Sequence, residues 1–140
     1  MTRRAKYGNT KVTVDGITKR DNPEMRLHMV ILPFLQAVLP REAADTLIHV
    51  PNGEKRTPAT GALLKRMGTR PGVEDLQFIW AGRLHAIEVK PEGEYQSRVQ
   101  KAREAAVSAA GGIYAICRSK DDVRETLALW GVPSRETVAA

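Results

Sequence analysis

Asp75, Glu88 and Lys90 are the residues through which this sequence could do chemistry, because a hairpin would bring the three together. The run GVEDLQFIWAGRLHAIEVK, from Gly72 to Lys90, reads as two strands. Val73 to Trp80 and Arg83 to Lys90 are rich in β-branched, aromatic and aliphatic residues, and Ala81-Gly82 supplies a tight turn between them. With a two- or four-residue loop, Asp75 lies directly across from Glu88, on the same face and with Cβ atoms roughly 5 Å apart. A three-residue loop would displace the pairing by one place. Alternation then puts Lys90 on the face of Glu88 and turns Leu76, Phe78, Ile87 and Val89 the other way, into a core.

Opposed carboxylates repel each other and are disfavoured on a plain sheet surface unless a cation lies between them. A hard divalent ion answers that need. Mg²⁺ takes oxygen ligands, commonly one or two carboxylates, with water and substrate phosphate completing the octahedron. Taken alone, the hairpin reads more readily as a solvated sheet face on which Lys90 screens Glu88 and nothing binds, since charge on a strand face is common.

Asp75 followed by Glu88-Val89-Lys90 resembles the D…(E/D)xK signature of the PD-(D/E)xK nuclease superfamily, and the flanks are similar to a VRR-NUC domain. The resembling residues are HVPNGEKRTPATGALLKRMGTRPGVEDL (His49 to Leu76), IEVK (Ile87 to Lys90) and Gln100 on the following helix, within a stretch from His49 to Cys117. Glu74 stands where that family usually has proline; proline there shapes the start of the strand, so the aspartate itself is retained. The resemblance implies Mg²⁺ or Mn²⁺ held by Asp75, Glu88 and the Val89 carbonyl, with Lys90 holding the attacking water. It also implies that Glu24 reaches the metal site from the first helix and that Gln100 orients water or a phosphate. Without it, Glu24 simply complements a helix start and Gln100 is an exposed helix former.

The elements that must position these residues follow along the chain. Met1 to Tyr7 form a basic tail. Lys11 to Val14 and Ile17 to Lys19 alternate around Asp15-Gly16, a strong hairpin signal. The stretch KYGNTKVTVDGIT also resembles the start of small phage resolvase-like nucleases, where a hairpin precedes a glutamate-bearing helix. Asn22-Pro23-Glu24 opens a helix running toward Leu39, which Pro33 should kink or divide. Asp45 to Val50 reads as a short buried strand, ended by Pro51 and the Asn52-Gly53 turn. Thr57-Pro58 starts a helix that ends at Gly68. Lys55, Arg56, Lys65, Arg66 and Arg70 surround it, either as a solvated helix face or as an approach for phosphates. A helix from about Gln96 to Ala110, a strand from Ile113 to Cys117 and a helix capped by Ser119 and running to Trp130 complete the pattern.

This order gives an α/β fold across residues 1–140 as one domain, with tail and hairpin in 1–21 and a core over about 22–131. The resemblance implies a restriction-endonuclease-like sandwich, a mixed central sheet flanked by helices. A hydrophobic fraction of 42% supports a globular core, and a net charge of +6 favours a polyanionic partner. Aromatics at 5% are too few for base-stacking platforms, so a groove for the phosphate backbone is expected. No apolar run approaches a membrane span, and MTRRAK is not followed by the core of a signal peptide, so a cytoplasmic protein is expected. Cys117 lacks a disulfide partner and sits in an apolar run; His28, His49 and His85 lack zinc-ligand spacing.

The expected function is a metal-dependent nuclease on DNA, with no small-molecule cofactor. By resemblance it is a homodimer, whose paired sites would suit symmetric branched DNA such as a Holliday junction. The alternative is a non-catalytic nucleic-acid-binding module in which the acids are structural, favoured only by Glu74. An apolar first helix (MVILPFLQAVL) would serve a dimer or a purely structural oligomer.

Overall fold

A computed structural model describes residues 11–14, 17–20, 22–51 and 57–137. The basic tail, the Asp15-Gly16 and Asn52-Gly53 turns, and Lys55 and Arg56 lie outside the described residues.

Two short strands, β1 (Lys11–Val14) and β2 (Ile17–Arg20), pair antiparallel as a separate N-terminal hairpin. Helix α1 (Pro23–Val38) begins where Asn22 caps it, its side-chain oxygen accepting from the Met25 N–H at 3.0 Å, with Pro23 in the first turn. Pro33 does not divide this helix, division being one of the two outcomes expected of it. The carbonyl that loses its donor belongs to Met29, which lies with Pro33 on the exposed face, where water can replace the missing N–H. A short helix α2 (Arg41–Ala44) follows, unforeseen in the sequence. The turn at Asp45 and Thr46 that follows α2 shortens the expected Asp45 to Val50 strand, so β3 is only Ile48–His49, an exposed sheet edge rather than a buried strand.

Helix α3 (Pro58–Arg66) starts at its Thr57 cap and ends before Gly68, whose φ of 100° suits a residue without Cβ. The hairpin then forms as β4 (Leu76–Trp80) and β5 (Arg83–Val89), somewhat shorter than the apolar pattern suggested. Ala81 and Gly82 both have positive φ, 51° and 73°, the type I′ signature of a two-residue hairpin loop. Leu76 therefore pairs with Ile87 and Trp80 with Arg83. After α4 (Arg98–Ala109) the chain returns as β6 (Ile113–Cys117), parallel to β5, and closes with α5 (Lys120–Leu129).

The result is an α/β fold with a four-stranded mixed sheet of order β3-β4-β5-β6. One face buries Leu76, Phe78, Ile87, Val89 and Cys117 against Ile31, Leu35 and Val38 of α1 and Val123 and Leu127 of α5. Burial pushes the Cys117 thiol up to about 11, as befits a core residue. The other face carries Glu88 and Tyr114 and meets α4 through Gln100 and the segment before it through Gln96.

Candidate metal centre

The two-residue turn decides the site. Continuing its register by one pair beyond Leu76 and Ile87 places Asp75 across from Glu88. Glu24 arrives from the first turn of α1, where a negative charge complements the helix dipole. One carboxylate oxygen from each of Glu24, Asp75 and Glu88 can be chosen so that all three lie within 4.8 Å of one another. Three acids from three separate elements thus converge on one point.

Their surroundings are built. Asp75 Oδ2 accepts from the Val89 N–H at 2.9 Å. Its backbone carbonyl accepts from the Val50 N–H at 3.0 Å, and His49 Nδ1 lies 2.8 Å away. A carbonyl can only accept, so His49 carries its proton on Nδ1. Glu88, 1% exposed, accepts from Gln100 Nε2 at 3.1 Å through Oε1, and Lys90 Nζ stands 3.9 Å from that same oxygen. Oε2 of Glu88 is buried and meets no hydrogen-bond donor among the described residues. Burial first, then the charge of Asp75 and a hydrogen bond shared with it, push the Glu88 carboxyl up to about 9; Glu24 adds to this and Lys90 opposes it. Burial and the neighbouring acids outweigh Lys90, so the charged form of Glu88 would gain from a further cation. The oxygen-only donor set suits a hard divalent cation, and the unsatisfied Oε2 is where such an ion would be held.

Gln100 is not the exposed helix former that its bare position suggested. It is the third residue of α4, and its side-chain Oε1 accepts from the Ser97 N–H at 2.8 Å while Ser97 Oγ accepts from the Gln100 N–H. The cap therefore uses the amide oxygen and leaves Nε2 for Glu88. Glu74, despite adjoining Asp75, adds no carboxylate to the cluster: it is fully buried and held by Arg103 and Gln77. Of the expected phosphate contacts, Lys65, Arg66 and Arg70 are exposed on or just after α3, a helix that buries none of its residues.

Three residues beside the site escaped sequence reasoning. His28 follows Glu24 by one helical turn, its ring edge-on to His49 at 4.6 Å; burial and then His49 lower its pKa, against the pull of Asp75 and Glu24. The spacing from Glu24 was a usable signal for His28. Nothing local links His49 to Asp75, or Arg103 to Glu74, across more than twenty residues.

No family model and no curated protein matches the sequence. Among solved structures, a protein described as a "VRR_NUC domain protein" is similar over 80% of this chain and 90% of that chain, with a TM-score of 0.64 and 22% identity. The two chains share one fold, that of a VRR-NUC domain. No helix among the described residues is long and apolar enough to cross a membrane.

Proposed function

We propose that this chain is a metal-dependent nuclease of the VRR-NUC type that hydrolyses phosphodiester bonds in DNA, acting in a bacterial or phage-infected cytoplasm. The observation that carries the reading is the convergence of Glu24, Asp75 and Glu88 beside Lys90, with Glu88 Oε2 buried and undonated.

Asp75, Glu88 and Glu24 would hold Mg²⁺ or Mn²⁺, with the Val89 carbonyl as a further oxygen; one or two ions fit the reading. When bound, the ion supplies Lewis-acid chemistry, polarising a phosphoryl oxygen and making water a competent nucleophile at neutral pH. The chain's own residues do the rest. The Val89 N–H fixes the Asp75 carboxylate. Gln100 occupies Glu88 Oε1 and leaves Oε2 without a protein donor among the described residues. Lys90, 4% exposed and beside Glu88, puts a cation where negative charge develops on phosphorus and holds the incoming water in line. Lys65, Arg66 and Arg70, joined by Lys55 and Arg56, receive the phosphate backbone, and the net charge of +6 draws the polyanion in.

The test is incubation with branched, flapped and linear duplexes, with Mg²⁺ or Mn²⁺ and with chelator. Cleavage that needs metal supports the reading, and a preference among substrates names the DNA structure. Retention of DNA without cutting of any substrate would return the chain to a binding module. We also infer a homodimer, supported by the exposed Met25, Met29 and Val30 on α1. A light-scattering mass near 15.5 kDa would overturn that.

A further inference from the structure

The reaction proposed above makes no use of Glu74 or Arg103, yet the structure invests in joining them. The Glu74 carboxylate is 0% exposed; it accepts from Arg103 Nε at 3.0 Å and Nη2 at 3.4 Å, and from Gln77 Nε2 at 3.1 Å. Glu74 is fully buried while Arg103 is a quarter exposed, and an ion pair with one partner buried is a weak source of stability, because desolvation offsets much of the attraction; its better-attested use is to select one arrangement over others.

The arrangement it selects is visible in what lies on either side. Glu74 directly precedes Asp75, and Arg103 stands one turn along α4 from Gln100, on the same side of the helix. Two residues before Glu74, Gly72 has φ 76°, and a Cβ built there would lie 2.6 Å from the Val99 carbonyl oxygen and 3.0 Å from the Gln100 nitrogen. The segment carrying Asp75 therefore meets the helix carrying Gln100 at two places, backbone against backbone at Gly72 and charge against charge at Glu74. Gln100 has no rotational freedom left, since its oxygen belongs to the Ser97 cap and its nitrogen to Glu88.

We propose that the Glu74–Arg103 pair is a positioning clamp that sets α4 against the hairpin so that Gln100 reaches Glu88 and leaves Glu88 Oε2 turned toward the acidic cluster. Neither residue touches a reacting atom. The consequence for metal binding rests on the function proposed above; the geometric half does not.

The experiment uses the full chain and the variant Glu74→Gln/Arg103→Met, which removes both charges together, because losing Arg103 alone would strand a buried carboxylate. In metal-free protein, the side-chain amide of Gln100, assigned by its disappearance in Gln100→Ala, should show slowed solvent exchange by NMR. In the double variant that protection should be lost while the remaining backbone spectrum stays native. Arg103→Lys keeps the charge and loses the two-nitrogen grip, and should show partial loss. Continued protection in both variants would overturn the clamp. Mn²⁺ titration supplies the second readout. The double variant should bind about tenfold more weakly, in line with other residues that orient metal ligands. Adding Gln100→Ala should then cost nothing further, although it weakens binding in the wild-type background. Equal cost in both backgrounds would show a merely structural pair. Wild-type protein that binds no Mn²⁺ would count against the metal centre and leave the amide readout to decide the clamp.

Discussion

At the scale of single residues, Lys90 and Glu88 share a strand face, and substituting them should separate chemistry from binding. Lys90→Ala leaves every carboxylate in place, so Mn²⁺ should still bind while kcat falls by about 3 kcal/mol in barrier, as for other lost transition-state donors. Glu88→Gln should lose metal affinity and cleavage together, and calorimetric titration beside single-turnover kinetics distinguishes the two patterns. Glu88 also sets a pH signature. Its folded pKa of about 9 lies above the ordinary carboxyl value of 4.5, so between those values the folded state binds more protons than the unfolded. The contribution of Glu88 to metal-free stability is therefore full below about 4.5 and is lost as pH rises toward 9, by up to about 1.4 kcal/mol per pH unit. Denaturant melts across this range should show the decline, and Glu88→Gln should flatten it. Mn²⁺ affinity should rise over the same interval, since the ion displaces the proton. Asp75, Glu88 and Lys90 were legible because a two-residue loop fixes their register locally. The partners that hold this segment were not, since His49 reaches the Asp75 carbonyl and Arg103 reaches Glu74 through tertiary contacts that leave no periodic trace.

At the scale of elements, α4 and α3 make opposite demands on the sequence. Gly72→Ala would drive a methyl into the Val99 carbonyl from a backbone angle that alanine rarely adopts, and should cost about 2 kcal/mol or more by thermal denaturation. Helix α3 has nothing to lose in that way. Replacing Lys65 and Arg66 with Ala should leave stability within about 0.5 kcal/mol but should flatten the dependence of DNA affinity on salt, because fewer counterions are released. An unchanged slope would remove α3 from the DNA path. Caps made three helices readable: Asn22, Thr57 and Ser119 each accept from a backbone N–H of the first turn, and Ser97 does the same for α4, whose start was read at about Gln96 without it. The errors fell where the tertiary setting overrides a local rule. Pro33 was expected to kink or divide α1, and it does not divide it, because the exposed face tolerates the lost bond. The apolar run at Asp45 to Val50 looked like a core strand, but it enters the sheet only at its edge, with Ile48 53% exposed.

At the scale of the molecule, the fold reads as a frame that brings one end of α1, the opening of the β4–β5 hairpin and the first turn of α4 to one acidic cluster on an otherwise basic chain. The order of elements foretold the α/β class, and the parallel return through α4 to β6 completes a mixed sheet. The long-range step, Glu24 meeting a hairpin fifty residues away, came only from resemblance and not from any pattern within the chain. The central claim is that this meeting point is a nuclease's metal centre. Its most direct test is Mg²⁺- or Mn²⁺-dependent cleavage by Asp75→Asn beside wild type, each checked for metal-free stability. The account predicts that the variant loses cleavage and is as stable as wild type or more so, because the change relieves a like-charge cluster. An Asp75→Asn protein that cuts DNA normally, or one that is destabilised by more than about 2 kcal/mol without metal, would contradict it.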